Sequence, residues 1–260
     1  MSRACIYLVN DNPFYMLMVA NSIGMLRQHN STIPIKVLYI TNTSQTAYDY
    51  ISNMDRGIFE KLCEKYEAEI RYLPHEELPE DPDFFFSNKI HFSSLEENEI
   101  LFIDGDTFIC GDVEAIFDGY DSDFVGCENR WMGNDWNDNR YLGIKPFNGG
   151  VLLCKNDIHK SLFAELPSVC SELQNSDFPL AKWIQNGRMH NREEFGTSLL
   201  IDRKGISHDY FKKQDAYNIL MLEEIGQIDQ SKIFHCYAKQ WPEAYKKVFY
   251  NTRRKSIERY

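Results

Sequence analysis

Apolar residues in this chain gather in short runs separated by longer amphipathic stretches. Ala4–Val9, Ile35–Ile40, Ile100–Ile103 and Gly149–Cys154 are too short for globular helices and too continuously apolar for a surface strand, so they read as strands buried on both faces. Ala68–Leu73, Asp123–Cys127 and Lys232–Cys236 read as further strands. Between them the period lengthens to that of a helix. Phe14–His29 is one such stretch. A second is expected to start at Ser44 as N-cap and reach Glu67, with Ile51, Met54, Ile58, Leu62, Cys63 and Tyr66 as its core-facing stripe. Lys89–Leu95, Asp157–Leu173 (with a possible kink at Pro167), Glu193–Ile201 and the C-terminal segment complete the helices. The acidic, proline-punctuated Pro74–Asp83 and the Asn-, Asp- and Trp-rich Glu128–Lys145 have no period and read as loops. Alternating strands and helices predict an α/β fold: one domain, with a mainly parallel central sheet and helices on both faces.

The Ile100–Ile103 strand runs directly into Asp104-Gly105-Asp106. Residues i and i+2 of an extended chain point to the same side, so the two carboxylates are expected to converge. Gly105 between them leaves room for close approach to the backbone. Open α/β sheets bind ligands where their strands end. Paired carboxylates there suit Mg²⁺ or Mn²⁺ shared with phosphate oxygens.

Composition narrows the partners. A net charge of −11 disfavours sequence-independent binding to nucleic acid, which needs a basic surface. The seven cysteines are widely spaced with no Cys-x-x-Cys pair, which argues against a zinc ribbon and for a reducing compartment. The chain enters its first strand at once, with no secretory leader pattern, so a cytoplasmic protein is expected. Tyr245–Tyr260 is locally basic and reads first as a solvated terminal helix, with weak docking to an anionic membrane surface as the alternative.

Several segments together carry a resemblance. They are Tyr7-Leu8-Val9-Asn10-Asp11, Ala20-Asn21-Ser22-Ile23 with Arg27-Gln28-His29-Asn30, Ser87-Asn88-Lys89-Ile90-His91 before the Asp104 strand, Phe147-Asn148-Gly149-Gly150-Val151, and Ile233-Phe234-His235. Over most of its length the chain resembles glycosyltransferases of the GT-A fold, in particular the group of glycogenin, galactinol synthase and bacterial lipopolysaccharide galactosyltransferases. The resemblance implies a single Rossmann-like domain, with residues 1–112 as the nucleotide half and 113–260 as the acceptor half. It implies a sugar moved from a nucleotide-sugar donor, with UDP as the nucleotide, to a hydroxyl acceptor such as a glycan. Asp104, Asp106 and His235 are then expected to bind the metal. Imidazole is a better ligand for Mn²⁺ than for Mg²⁺. Asp104 would also face the ribose, Asn10 and Asp11 the nucleobase, Lys89 the phosphate or sugar, and Asn148 and Gly150 the donor sugar.

Two segments depart from that pattern. The family's late His-x-x-Gly-x-x-Lys-Pro-Trp appears as His235-Cys236-Tyr237-Ala238-Lys239-Gln240-Trp241, which is two residues shorter, has no glycine and carries Gln240 for the proline. Lys239 is the diphosphate contact this would leave. Where the family has Asp-Gln, the chain has Glu193-Glu194; Glu194 is the better equivalent, with Glu193 beside it, as catalytic carboxylates. Trp131, Trp136 and Tyr141 are expected to form the acceptor wall. The family retains anomeric configuration, and retention is expected here; inversion would need a carboxylate base near the acceptor. Two rivals stand beside this reading. A nucleotidyltransferase also uses paired aspartates, but no glycine-rich phosphate loop follows Val9. A non-catalytic sugar-binding domain could share the fold, since fold does not fix function.

Overall fold

A computed structural model describes residues 1–30, 32–41, 54–75, 85–129, 142–175, 192–218, 231–236 and 240–246. Strand β1 (Arg3–Asn10) is followed by α1 (Pro13–His29). Asn12 sets the start of α1: its side chain accepts from the backbone N–H groups of Phe14 and Tyr15 at 2.9 and 3.2 Å, and Pro13 takes the first helical position, where no N–H is needed. Next come β2 (Ile35–Thr41), α2 (Arg56–Lys65) and β3 (Ala68–Pro74). A 3-10 helix, Phe85–Ser94, leads into β4 (Glu99–Ile103). Then follow β5 (Thr107–Ile109), α3 (Glu114–Asp118), β6 (Phe124–Glu128), β7 (Phe147–Cys154), α4 (Ile158–Asn175) and α5 (Arg192–Lys204). The short strands β8 (His208–Tyr210), β9 (Ala216–Asn218) and β10 (Ile233–His235) come last, before a helical turn at 241–246.

The main sheet has the order β3-β2-β1-β4-β7-β6-β8, and a second, small sheet is ordered β5-β10-β9. The pairings β3-β2, β2-β1, β1-β4 and β6-β8 are parallel; β7 alone runs antiparallel to its neighbours β4 and β6. The chain builds outward from β1 to β3, then returns to place β4 on the other side of β1. That reversal opens a crevice at the carboxyl ends of β1 and β4.

Both faces of the sheet are covered, as the apolar runs require. Along β1, β4 and β7 alternate residues point to opposite faces. Tyr7, Val9, Leu101, Ile103 and Val151 join one core cluster with α1, α2 and the small sheet. Ile6, Leu8, Ile100, Phe102 and Leu152 join the other with α4, α5 and the 3-10 helix. Among the described residues no helix is long and apolar enough to cross a membrane.

Some elements differ from expectation. The helix read from Ser44 does not run through to Glu67. Ser44 and Ile51 lie outside the described residues. The described helix starts at Arg56, because Asp55 is extended and its carboxylate caps the N–H of Ile58 at 2.8 Å. A local cap therefore overrides the longer period, but most of the described stripe still faces the core: Cys63 is buried, Met54, Leu62 and Tyr66 pack against the same cluster and Phe59 joins it, while Ile58 is 44% exposed. Lys89–Leu95 falls largely in the 3-10 helix rather than an α-helix. The strand read from Gly149 begins two residues earlier, at Phe147. Most of the Glu128–Lys145 loop and of the basic C-terminal segment is outside the described residues.

Leu101 sits at the centre of the sheet with no exposed surface, paired with Cys5 on one side and Leu153 on the other. Leu101→Ala should lower stability by about 2–5 kcal/mol in urea unfolding. A change below about 1 kcal/mol would show that β4 is not a core strand.

Candidate functional site

Strand β4 stops at Ile103, and the chain turns over residues 104–106 before β5. The convergence of Asp104 and Asp106 thus comes from a turn and not from the extended i, i+2 geometry expected from sequence. Three bonds hold that turn. The Asp104 N–H donates to the Gly150 carbonyl at 2.8 Å, the Thr107 hydroxyl to the Asp104 carbonyl at 2.8 Å, and the Gly105 N–H to the Asp104 carboxylate at 2.9 Å. Gly105 presses on α1, where a Cβ would lie 2.9 Å from a Val19 methyl.

His235 reaches the turn from the far end of the chain. β10 pairs antiparallel with β5, which sets His235 opposite Thr107. Its Nε2 lies 3.1 Å from Asp106 Oδ1, and the next residue, Cys236, donates its N–H to the Asp106 carbonyl at 3.1 Å. Ligand atoms of Asp104, Asp106 and His235 all fall within 4.8 Å of one another. Burial, and then the negative charge of Asp106, push the Asp104 carboxyl up from 3.8 to about 6, against the pull of His235, Lys89 and the Gly105 N–H. For His235 burial opposes the charged ring, but Asp106, Asp104 and Glu194 outweigh it and raise the imidazole. Two crowded carboxylates beside an imidazole are a donor set that fits a divalent cation, whose charge would relieve their repulsion.

The start of β7 forms the wall behind this cluster. A Cβ on Gly150 would lie 2.2 Å from the His235 ring, so only glycine fits. A Cβ on Gly149 would lie 2.5 Å from a Glu193 carboxylate oxygen and 2.6 Å from the Lys89 ammonium. Lys89 and Glu193 form a buried ion pair at 2.8 Å, and Lys89 also donates to the Gly149 carbonyl at 3.0 Å. Glu194 accepts from the Asn148 amide, the Gly149 N–H and the Asn129 amide at 2.8, 2.7 and 2.7 Å.

No protein-family model and no curated protein sequence matches this chain. Its fold, however, is similar to that of solved glycosyltransferases. Apo mouse xyloside xylosyltransferase 1 aligns over 90% of this chain and 97% of its own, with a TM-score of 0.56 at 11% identity. An active-site mutant of LgtC aligns over 93% and 95%, with a TM-score of 0.57 at 9% identity. GlyE of Streptococcus pneumoniae gives 0.57 at 14% identity over 94% of this chain, which spans 60% of GlyE. The chain has the GT-A fold.

Within this GT-A fold the sequence-expected residues divide into three groups. Asp104, Asp106 and His235 meet at one point. Asn148, Gly150, Lys89, Glu193 and Glu194 gather behind that point, but mostly bonded to each other. Lys89 is 1% exposed, and Asn148, Glu193 and Glu194 are buried too, so their described contacts are with the protein. The third group lies at the end of β1. Asn10 is buried, with its side chain accepting from the Asn12 N–H at 3.1 Å. Asp11 is exposed, and its carboxylate takes the Tyr39 hydroxyl at 2.5 Å. Lys239, Trp131, Trp136 and Tyr141 lie outside the described residues. Trp241, the last residue of the late motif, is buried and stacks on Phe108, so it serves the core. Sequence reading missed Asn129 and Gly149 as members of the site. Asn129 had only its place at a strand end as a signal, whereas Gly149 stood inside the Phe147–Val151 segment that carries the resemblance.

The raised Asp104 carboxyl gives a pH dependence. Without metal, the folded chain keeps this proton up to about pH 6, whereas an ordinary carboxyl loses it near 3.8. Asp104 therefore favours the folded state at low pH, and that contribution is lost as pH rises through about 6. A cation also competes with protons for Asp104 and His235. Mn²⁺ affinity and the Mn²⁺-induced rise in Tm should both be larger at pH 7.5 than at pH 5, as read by calorimetry and thermal melts. A pH-independent affinity would count against these ligands.

Proposed function

We propose that this protein is a metal-dependent glycosyltransferase. In this reading it moves a sugar from a UDP-sugar donor to a hydroxyl of a glycan acceptor, with residues 1–112 forming the nucleotide half. The observation that carries the reading is the Asp104–Asp106–His235 cluster at the carboxyl end of β4, beside the crevice between β1 and β4. The fold neighbours support it: they include a xylosyltransferase, and LgtC, a galactosyltransferase, with donor and acceptor sugar analogues.

Asp104, Asp106 and His235 would hold the cation, and the imidazole favours Mn²⁺ over Mg²⁺. A bound divalent ion would supply positive charge against the diphosphate leaving group. Asp11, exposed at the end of β1, would face the nucleobase in this reading. Glu193 is neutralised by Lys89, and Glu194 already accepts three N–H groups. Neither is poised as a general base, which favours retention of anomeric configuration. In that outcome the bond from the anomeric carbon to the diphosphate breaks, the bond to the acceptor oxygen forms, and the acceptor proton passes to the departing phosphate oxygen.

Incubation with Mn²⁺ and a panel of nucleotide sugars tests this directly. Slow hydrolysis of one donor, seen as released nucleotide, should fall at least ~100-fold in Asp106→Ala, since removal of a metal ligand removes the charge stabilisation. If no nucleotide sugar binds in the presence of Mn²⁺, the proposal fails.

A further inference from the structure

We propose that Glu194 is a positioning residue that sets the metal site from behind, through Asn148 and Gly150. The proposal rests on the metal-site part of the function above and is independent of donor or acceptor identity. Glu194 lies in the first turn of α5, where a carboxylate is favoured by the helix dipole. The same turn is fastened to β7 a second time. Ser198 donates to the Glu194 carbonyl at 2.7 Å and accepts the Phe147 N–H at 2.9 Å.

The start of β7 needs this fastening. Its pairing with β4 ends at Val151, opposite Ile103. Its pairing with β6 shifts between Gly126 and Cys127, and Asn148 takes up the pairing beyond that irregularity. Such irregularities re-aim side chains at sheet ends. Here the re-aimed side chain is Asn148, whose amide N–H donates to Glu194 at 2.8 Å. That bond fixes which way the amide faces, so its oxygen accepts the Gly150 N–H at 3.0 Å. Gly150 then touches two of the three metal-site residues: its carbonyl takes the Asp104 N–H at 2.8 Å, and its α-carbon packs on the His235 ring.

The chemistry at position 194 is specific. All three of the bonds described for its carboxylate come from N–H donors. A carboxylate is acceptor-only and satisfies them together; an amide must turn its NH₂ toward one of them. Removing the groups that orient metal ligands typically weakens metal affinity by about 10–100-fold.

Mn²⁺ binding to the full chain, followed by electron paramagnetic resonance without any donor, tests the relay. Glu194→Ala and Asn148→Ala should each weaken Mn²⁺ binding by about tenfold or more, while circular dichroism shows the fold retained. Glu194→Gln should fall between them and wild type, since it keeps one acceptor oxygen, and it serves as the readable variant if Glu194→Ala does not fold. Unchanged Mn²⁺ affinity in the folded variants overturns the proposal. So does a fall in kcat with Mn²⁺ affinity intact, which would make Glu194 a group that acts on the reacting sugars. A wild-type chain that binds no Mn²⁺ overturns it as well. A chain that binds Mn²⁺ with the expected variant losses, yet turns over no nucleotide sugar, supports the relay and sinks only the transferase reading.

Discussion

Two carboxylates brought together in a largely buried corner, with an imidazole against one of them, are the constraint around which this molecule is organised. Like charges at such distances repel, and burial removes the water that would screen them. Asp104 answers by holding its proton up to about pH 6. The surrounding chain is shaped to keep the arrangement despite that cost. β4 delivers the turn, α1 packs on its glycine, β10 brings His235 from the other end of the sequence, and the start of β7 supplies a side-chain-free surface behind the ring. A divalent cation would turn this repulsion into attraction.

The second layer of buried charge has the opposite character. Lys89 and Glu193 compensate one another, and the Glu194 carboxylate is held by oriented N–H groups. Buried ion pairs contribute little net stability but fix geometry, because either partner alone would be stranded. Here the pair braces the Gly149 carbonyl, and Glu194 braces its N–H. The peptide groups leading to Gly150 are therefore held from both sides. This explains why residues that the resemblance marks as catalytic make their described bonds mostly with the protein.

The core sheet was legible in the amino-acid pattern because its strands are buried on both faces. Ala4–Val9 and Ile100–Ile103 can satisfy their apolar runs in few other ways. The start of α2 was not legible, because one Asp55 cap outweighed a periodic pattern running back to Ser44. Nor were β5, β8 and β9, whose three residues are too few to show a period and which exist only through their partners. Within the site, Asp104 and Asp106 were visible as a motif. The roles of Asn129 and Gly149 were not, since both depend on the Glu194 carboxylate, which lies 65 residues beyond Asn129 and 45 beyond Gly149.

The sequence alone determined the fold class, the strand that ends in two aspartates, and the residue types able to hold a cation, because these follow from hydrophobic period and side-chain chemistry within a few neighbouring positions. The tertiary structure decided which residues meet. It placed His235 on Asp106 across 129 positions, turned Asn148 toward Glu194, and hid Lys89 behind Gly149. Those outcomes depend on strand order, register and one shift in pairing between β6 and β7. They are set by packing between distant segments, to which a local pattern of residues is blind.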